Sequence, residues 1–179
     1  KWISRLPDLV FGYEEALGYL VNPDDVRDKD GISAGLFFAC LVAELMASGK
    51  TVWDCLDDVR NTYGGFASDQ ISLRFDTMVV ASGVMDSIRR SPVEVFRSLS
   101  VDAVSDLAEG SPTMPPTNLI VFRLAGGDRV IVRPSGTEPK LKVYLDCVRP
   151  GQADAEKALE GLNRLVRSDI DGLVAGRDA

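Results

Sequence analysis

Between Val130 and Leu145 the sequence reads as strand, tight polar loop and strand, and this constrains the fold more than any other stretch. Val130, Ile131 and Val132 form an apolar run, while Leu141, Val143 and Leu145 alternate with Lys142, Tyr144 and Asp146. That period of two is the signature of a half-buried strand. Ala125, Gly126, Gly127 and Asp128 supply a hairpin turn leading from a strand over 119–124 into 129–132. Val101 to Leu107 is a further strand candidate, and Ile71, Leu73 and Phe75 alternate with Ser72, Arg74 and Asp76. Helical patterns run from there to Arg90, restart at Ser91 and Pro92, and return at Ala155, Ala158, Leu159, Leu162, Leu165 and Val166. The expected architecture of this region is an antiparallel sheet packed with helices, an α+β arrangement.

The loop inside that hairpin is R-P-S-G-T-E-P-K, from Arg133 to Lys140. Arg133 offers a planar fork of donors that matches two phosphate oxygens at once. Ser135 and Thr137 bring hydroxyls at alternate positions. Gly136 between them is expected to take a positive φ and turn N–H groups inward, with no Cβ to obstruct a ligand. Pro134 and Pro139 stiffen both ends. The pattern predicts a phosphate cradle; the competing account is a surface turn, since the same residues are ordinary in turns. Ser135 as a nucleophile is disfavoured, because the chain has no histidine and no G-x-S-x-G elbow.

The amino-terminal third has a different pattern. Leu9, Val10 and Phe11 suggest a buried strand ending at Gly12. Asp30 is placed to cap a helix from Gly31 to about Ser48, stopped by Gly49. Its apolar residues Ile32, Leu36, Phe37, Cys40, Leu41, Leu45 and Met46 cover more than one face, which predicts burial against a sheet. Thr51 and Asp54 form a capping box for a second helix, which Gly64 and Gly65 break. A domain boundary is expected there, giving regions 1–65 and 66–179. The chain opens on Lys1, Trp2 and Ile3 without an initiator methionine, as the interior of a longer protein would.

Composition narrows the partners. The chain has 179 residues, 45% of them hydrophobic, and a net charge of −7, which argues against nucleic acid as a ligand. No run approaches the roughly 18 apolar residues of a membrane span, so no membrane partner is expected and the cytoplasm is the expected location. Cys40, Cys55 and Cys147 are odd in number and read as reduced core residues. The absence of histidine excludes a Ser-His-Asp triad, a Cys-His pair and a His-ligated zinc site within this chain.

G-Y-E-E-A-L-G-Y, from Gly12 to Tyr19, sets Glu14 and Glu15 side by side at the end of an expected strand. Paired carboxylates are strong acceptors for neighbouring sugar hydroxyls, although solvated acids at a helix start would look the same. V-R-D-K-D-G-I, from Val26 to Ile32, reads on its residues as a charged helix start.

Taken together, these motifs resemble those of the α-D-phosphohexomutases, the superfamily of phosphoglucomutases and phosphomannomutases. Arg133 to Pro139 matches the R-x-S-G-T-E-P loop with which the last domain of that family grips the substrate phosphate. Gly12 to Gly18 is similar to its sugar-recognition loop, G-E-E-S-G in some members and G-F-E-E-A-I-G in others, with Ala16 in place of the serine. The R-D-K-D-G segment is similar too, and the resemblance allows Arg27 or Lys29 to assist phosphate binding. Lys1 falls where the family's T-G-F-K-W-I segment has its active-site lysine, and Lys142 where many relatives carry a second arginine.

The resemblance implies an α/β part followed by an α+β part: the end of a third domain over 1–65 and a complete fourth domain over 66–179. It implies a mutase interconverting sugar 1-phosphate and 6-phosphate through a bisphosphorylated intermediate. Glu14 and Glu15 would bind sugar hydroxyls; Arg133, Ser135, Gly136, Thr137 and Lys142 would bind phosphate. The phosphoserine and the magnesium loop would lie in the protein's own N-terminal domains, with no metal ligands in this chain, and a sugar bisphosphate would act as activator. The chain alone is then expected to bind a phosphosugar and not to turn it over. A phosphopentomutase of the same superfamily and a noncatalytic phosphosugar-binding module are the alternatives.

Overall fold

A strand that alternates apolar and polar residues must lay one face on a core, and the carboxy-terminal part of the chain satisfies that demand. The computed structural model describes residues 3–14, 17–112 and 114–175. The chain divides into two compact units, Lys1–Val59 and Arg60–Ala179.

In the second unit, five strands form one sheet: β3 (Gly65–Arg74), β4 (Val101–Asp106), β5 (Ile120–Leu124), β6 (Arg129–Pro134) and β7 (Lys140–Arg149). Their spatial order is β3-β7-β6-β5-β4, with every neighbouring pair antiparallel. This is the antiparallel α+β arrangement that the alternation predicted. Register lines up Ile71, Val143, Val132 and Ile120 across four strands, and all are buried on one face. The helices α3 (Met78–Arg90) and α5 (Gln152–Ala175) pack onto the sheet, α3 against β6 and β7 and α5 against β3 and β7. A short helix, α4 (Pro92–Val95), follows α3 and brings Val95 and Phe96 into the same core. Phe96 meets Phe122 edge to face at 4.8 Å between ring centroids, a geometry worth about 0.5–1.5 kcal/mol beyond burial.

Polar groups drawn into this unit are matched. Arg149 donates through Nη1 and Nη2 to the two oxygens of Asp128 at 2.5 and 2.8 Å, tying the end of β7 to the β5–β6 turn. Ser98 donates its hydroxyl and its N–H to Asp169 at 2.7 and 3.1 Å, anchoring α5 to the segment after α4. β3 starts ahead of the alternating residues: Gly65 and Ala67 are buried opposite Arg149 and Cys147, and residues so small carry no apolar signature.

The first unit holds a small antiparallel hairpin, β1 (Gly12–Glu14) and β2 (Gly18–Leu20), then α1 (Gly31–Ala47) and the larger part of α2 (Val52–Tyr63). Both helix starts are as predicted. Asp30 accepts from the N–H groups of Ile32 and Ser33 at 3.0 and 3.2 Å. Thr51 donates its N–H to Asp54 at 2.7 Å and accepts the N–H of Asp54 at 3.2 Å.

Three expectations fail here. Leu9, Val10 and Phe11 are not in a strand, and Val10 is 82% exposed. Helix α1 has no buried residue, although a helix apolar on more than one face is ordinarily a core helix. Its neighbour in the unit is β2, and a hairpin of three-residue strands is too small to cover it. Cys40, on α1, is consequently exposed, whereas Cys147 is buried as expected. Among the described residues no single helix is long and apolar enough to cross a membrane; α1 and α2, bent at 92°, reach that length and apolarity only as a pair.

Candidate functional site

In the second unit, the R-P-S-G-T-E-P-K segment is the β6–β7 hairpin, and its form follows from its own hydrogen bonds. Ser135 donates its N–H to the Lys140 carbonyl at 2.8 Å, while its hydroxyl accepts the N–H groups of Thr137 and Glu138 at 3.5 and 3.3 Å. Phe75, just past β3, donates its N–H to the Pro139 carbonyl at 2.9 Å. The loop is thereby fixed at both β6 and β3.

Register decides which side chains the loop gathers. Arg133 stands opposite Lys142 on β7, and Lys142 stands opposite Ser72 on β3. One step toward the loop, Lys140 stands opposite Arg74. Cross-strand partners and i, i+2 positions share a face. Arg133, Lys142, Ser72, Lys140 and Arg74 therefore all lie on the sheet face opposite the core. Like charges directly opposite each other destabilise a sheet, and among the described residues no carboxylate forms an ion pair with Arg133 or Lys142. Lys140 is different: it meets Glu138 at 2.7 Å with its side chain only 13% exposed. That hydrogen bond, the Lys140 charge, and the more distant Arg74 and Lys142 hold the Glu138 carboxyl below its ordinary pKa.

Gly136 departs from expectation. It does not have a positive φ, so conformational freedom is not what the loop uses. A Cβ built there would have nothing within 4 Å. Within the chain's own packing, any small residue would fit.

In the first unit, Glu14 ends β1 and forms an ion pair with Lys29 at 3.0 Å, both half exposed. Gly18 faces Glu14 across the hairpin, and a Cβ there would collide with the Lys29 side chain, so the glycine opens the path by which Lys29 reaches Glu14. The pair borders a small cleft of about 60 Å³, also lined by Ile3, Ser4 and Asp28. Leu17, in the turn, has φ of 60°, a left-handed conformation costly for a branched side chain. No sequence signal points to it.

The R-D-K-D-G segment splits into separate tasks. Arg27 donates to the carbonyls of Ser4 and Leu6 at 3.2 and 2.9 Å, tethering the stretch before β1. Lys29 holds Glu14. Asp30 caps α1, and its pKa is lowered by hydrogen bonds from Ser33 and from the N–H of Ile32. Lys1 and Glu15, together with Ala16, lie outside the described residues. Among the described residues no three Cys, Asp or Glu side chains cluster closely enough to hold a metal ion together.

Sequence reasoning found Arg133, Ser135, Thr137, Lys142 and Glu14 as polar side chains at these two places. It missed Glu138 and Lys140 as an ion pair and Arg74 as their neighbour. Glu138 and Lys140 were legible as an i, i+2 opposite-charge pair within the loop, whereas Arg74 is near only through the β3–β7 register.

The chain is similar to known proteins. Residues 91–161 match the family model described as the phosphoglucomutase/phosphomannomutase C-terminal domain. The chain is 40% identical over 176 residues to a probable phosphomannomutase of Haemophilus influenzae, covering 96% of this chain and 36% of that protein. It is 33% identical over 162 residues to a phosphoglucomutase of Staphylococcus haemolyticus, covering 81% and 29%. A phosphopentomutase of Homo sapiens is 28% identical over 181 residues, covering 92% and 29%. The chain thus spans about a third of the length of the curated relatives it matches. In fold it is similar to the crystal structure of the exocytosis-sensitive phosphoprotein pp63/parafusin, a phosphoglucomutase from Paramecium, in its open form. The TM-score is 0.66 at 17% identity, over 90% of this chain and 30% of that one. A β6–β7 loop bearing R-P-S-G-T-E-P on an antiparallel sheet, the matched domain model and these relatives agree: the chain belongs to the α-D-phosphohexomutase superfamily and carries its C-terminal domain.

Proposed function

We propose that this chain is the sugar- and phosphate-recognising part of a phosphoglucomutase or phosphomannomutase, which interconverts sugar 1-phosphate and 6-phosphate through a bisphosphorylated intermediate. The observation that carries the proposal is the uncompensated pair of Arg133 and Lys142 in register on one sheet face. A phosphate is the ligand whose charge offsets that repulsion, and Arg133 can engage two of its oxygens at once. Ser135 contributes a hydroxyl whose oxygen already organises the loop, leaving its O–H proton to donate outward. Thr137 adds a second hydroxyl, and Lys142 a point charge without the bidentate fork.

Glu14, with Glu15 beside it in sequence, accepts from sugar hydroxyls in this proposal. Lys29 supports it by holding the Glu14 carboxylate in place. Lys1 is assigned to the reacting end of the substrate, as the family resemblance implies. Arg27 is occupied with backbone carbonyls, which favours a tethering role over phosphate contact. The phosphoserine, the magnesium ion and its ligands belong to further domains of a longer cytoplasmic protein, with a sugar bisphosphate as activator. On this account the chain alone binds substrate and does not turn it over.

The test is Arg133→Ala in the longer, active protein. Transition-state stabilisation should fall by about 2–5 kcal/mol where the charge pair is desolvated, measured as kcat/KM with glucose 1-phosphate, mannose 1-phosphate and ribose 1-phosphate. Unchanged kcat/KM on every sugar that the parent protein uses would sink the proposal. A second reading, pentose phosphate as the substrate, is favoured by the similarity to the human phosphopentomutase over 92% of this chain. Turnover of ribose 1-phosphate above both hexose phosphates would select it.

A further inference from the structure

We infer that Arg74, on the first strand of the second unit, is an additional phosphate-positioning cation, and that the loop thereby selects a doubly ionised phosphate monoester over a singly charged diester. The inference rests on the reading of the β6–β7 loop as a phosphate site and adds to it a residue from another strand.

The argument is one of register and charge. Arg74 stands opposite Lys140 in the β3–β7 ladder, on the face that also bears Lys142 and Arg133. Neighbouring positions on one face of a strand lie about 7 Å apart, within the reach of an arginine. The Phe75 N–H to Pro139 carbonyl bond of 2.9 Å draws the end of β3 against the base of the loop, so Arg74 is held beside it. Its charge is felt at Glu138, whose acidity it helps to raise.

Of the four cations at the loop end of this face, Lys140 is neutralised by Glu138 at 2.7 Å. Arg74, Arg133 and Lys142 have no ion-pair partner among the described residues. Two facing cations would suit a singly charged group. A third unpaired cation, in a chain whose net charge is −7, favours a ligand carrying two charges. A phosphate monoester above its second pKa of about 6 is such a ligand.

The test uses the full 179-residue chain and two small probes, methyl phosphate and dimethyl phosphate. Each is titrated calorimetrically at low ionic strength and about pH 8, where the monoester is a dianion. The wild-type chain should bind methyl phosphate more tightly than dimethyl phosphate, and Arg133→Ala should lose methyl phosphate binding. Arg74→Ala should weaken methyl phosphate about fivefold, the upper end for an exposed charge pair, and weaken dimethyl phosphate less. Arg74→Lys should retain most of the affinity. Thermal unfolding checks each variant, and Arg74→Gln replaces the alanine if that chain does not fold. Wild-type affinity in Arg74→Ala alongside a loss in Arg133→Ala overturns the inference and leaves the phosphate loop standing. No methyl phosphate binding by the wild-type chain overturns both.

Discussion

Helices α1 and α5 are both long, and they invert the usual relation between hydrophobicity and burial. Helix α1 is apolar on more than one face and has no fully buried residue, with Ile32 at 87% and Met46 at 72% exposure. Helix α5 carries many charged residues, yet Ala155, Leu162, Val166 and Ile170 are buried at helical spacing along its inner stripe. The difference lies in what each helix meets. Helix α5 lies on β3 and β7, strands of ten residues each, while α1 meets a hairpin of three-residue strands. Apolar composition is a demand for cover; only a facing surface of matching size satisfies it.

The comparison is broken most sharply in the core. Phe122→Ala, at a fully buried position, should cost about 3–5 kcal/mol, seen as a lower denaturant midpoint for the whole sheet. Phe37→Ala on α1, where the side chain is 61% exposed, should change stability by no more than about 0.5 kcal/mol. Comparable losses at the two sites would mean that α1 is covered after all.

The cysteines sharpen it further. Burial, and then the nearby Asp128 charge, push the Cys147 thiol up to about 11, whereas Cys40 is exposed. At pH 7.5, a thiol-specific alkylating agent should modify Cys40 at once and Cys147 only on unfolding. Because the folded pKa of Cys147 lies above the unfolded one, its contribution to stability is complete below about pH 9 and is lost as pH rises through about 11. Replacing it with valine should flatten that part of the alkaline melting curve. An unchanged curve would mean that another group sets alkaline stability.

At Gly136 no loss of stability is expected. With no positive φ and open space around a Cβ, Gly136→Ala should leave the melting temperature unchanged or raise stability by up to about 1 kcal/mol, through the unfolded chain. Methyl phosphate affinity should fall in the same variant. A marked loss of stability would show that the loop needs glycine for its own sake.

The sheet was legible in the sequence because β3 and β7 alternate and β6 is an apolar run, each a local record of burial. Ile71, Val143 and Val132 carried that record even though they meet only through register. The caps at Asp30 and Thr51 were legible for the same reason, since their partners lie within three residues. The exposure of α1 was not, because it depends on the size of a surface elsewhere in the fold. Arg74 read as an ordinary polar strand position until β3 was aligned with β7. The left-handed turn at Leu17 leaves no trace in residue type.

The ample room at Gly136 also bears on protein engineering. A stabilisation programme that scores only the folded chain would favour alanine there, since it restricts the unfolded ensemble and meets no neighbour. Melting temperature would record success, and only a binding assay would register an entrance narrowed by one methyl group.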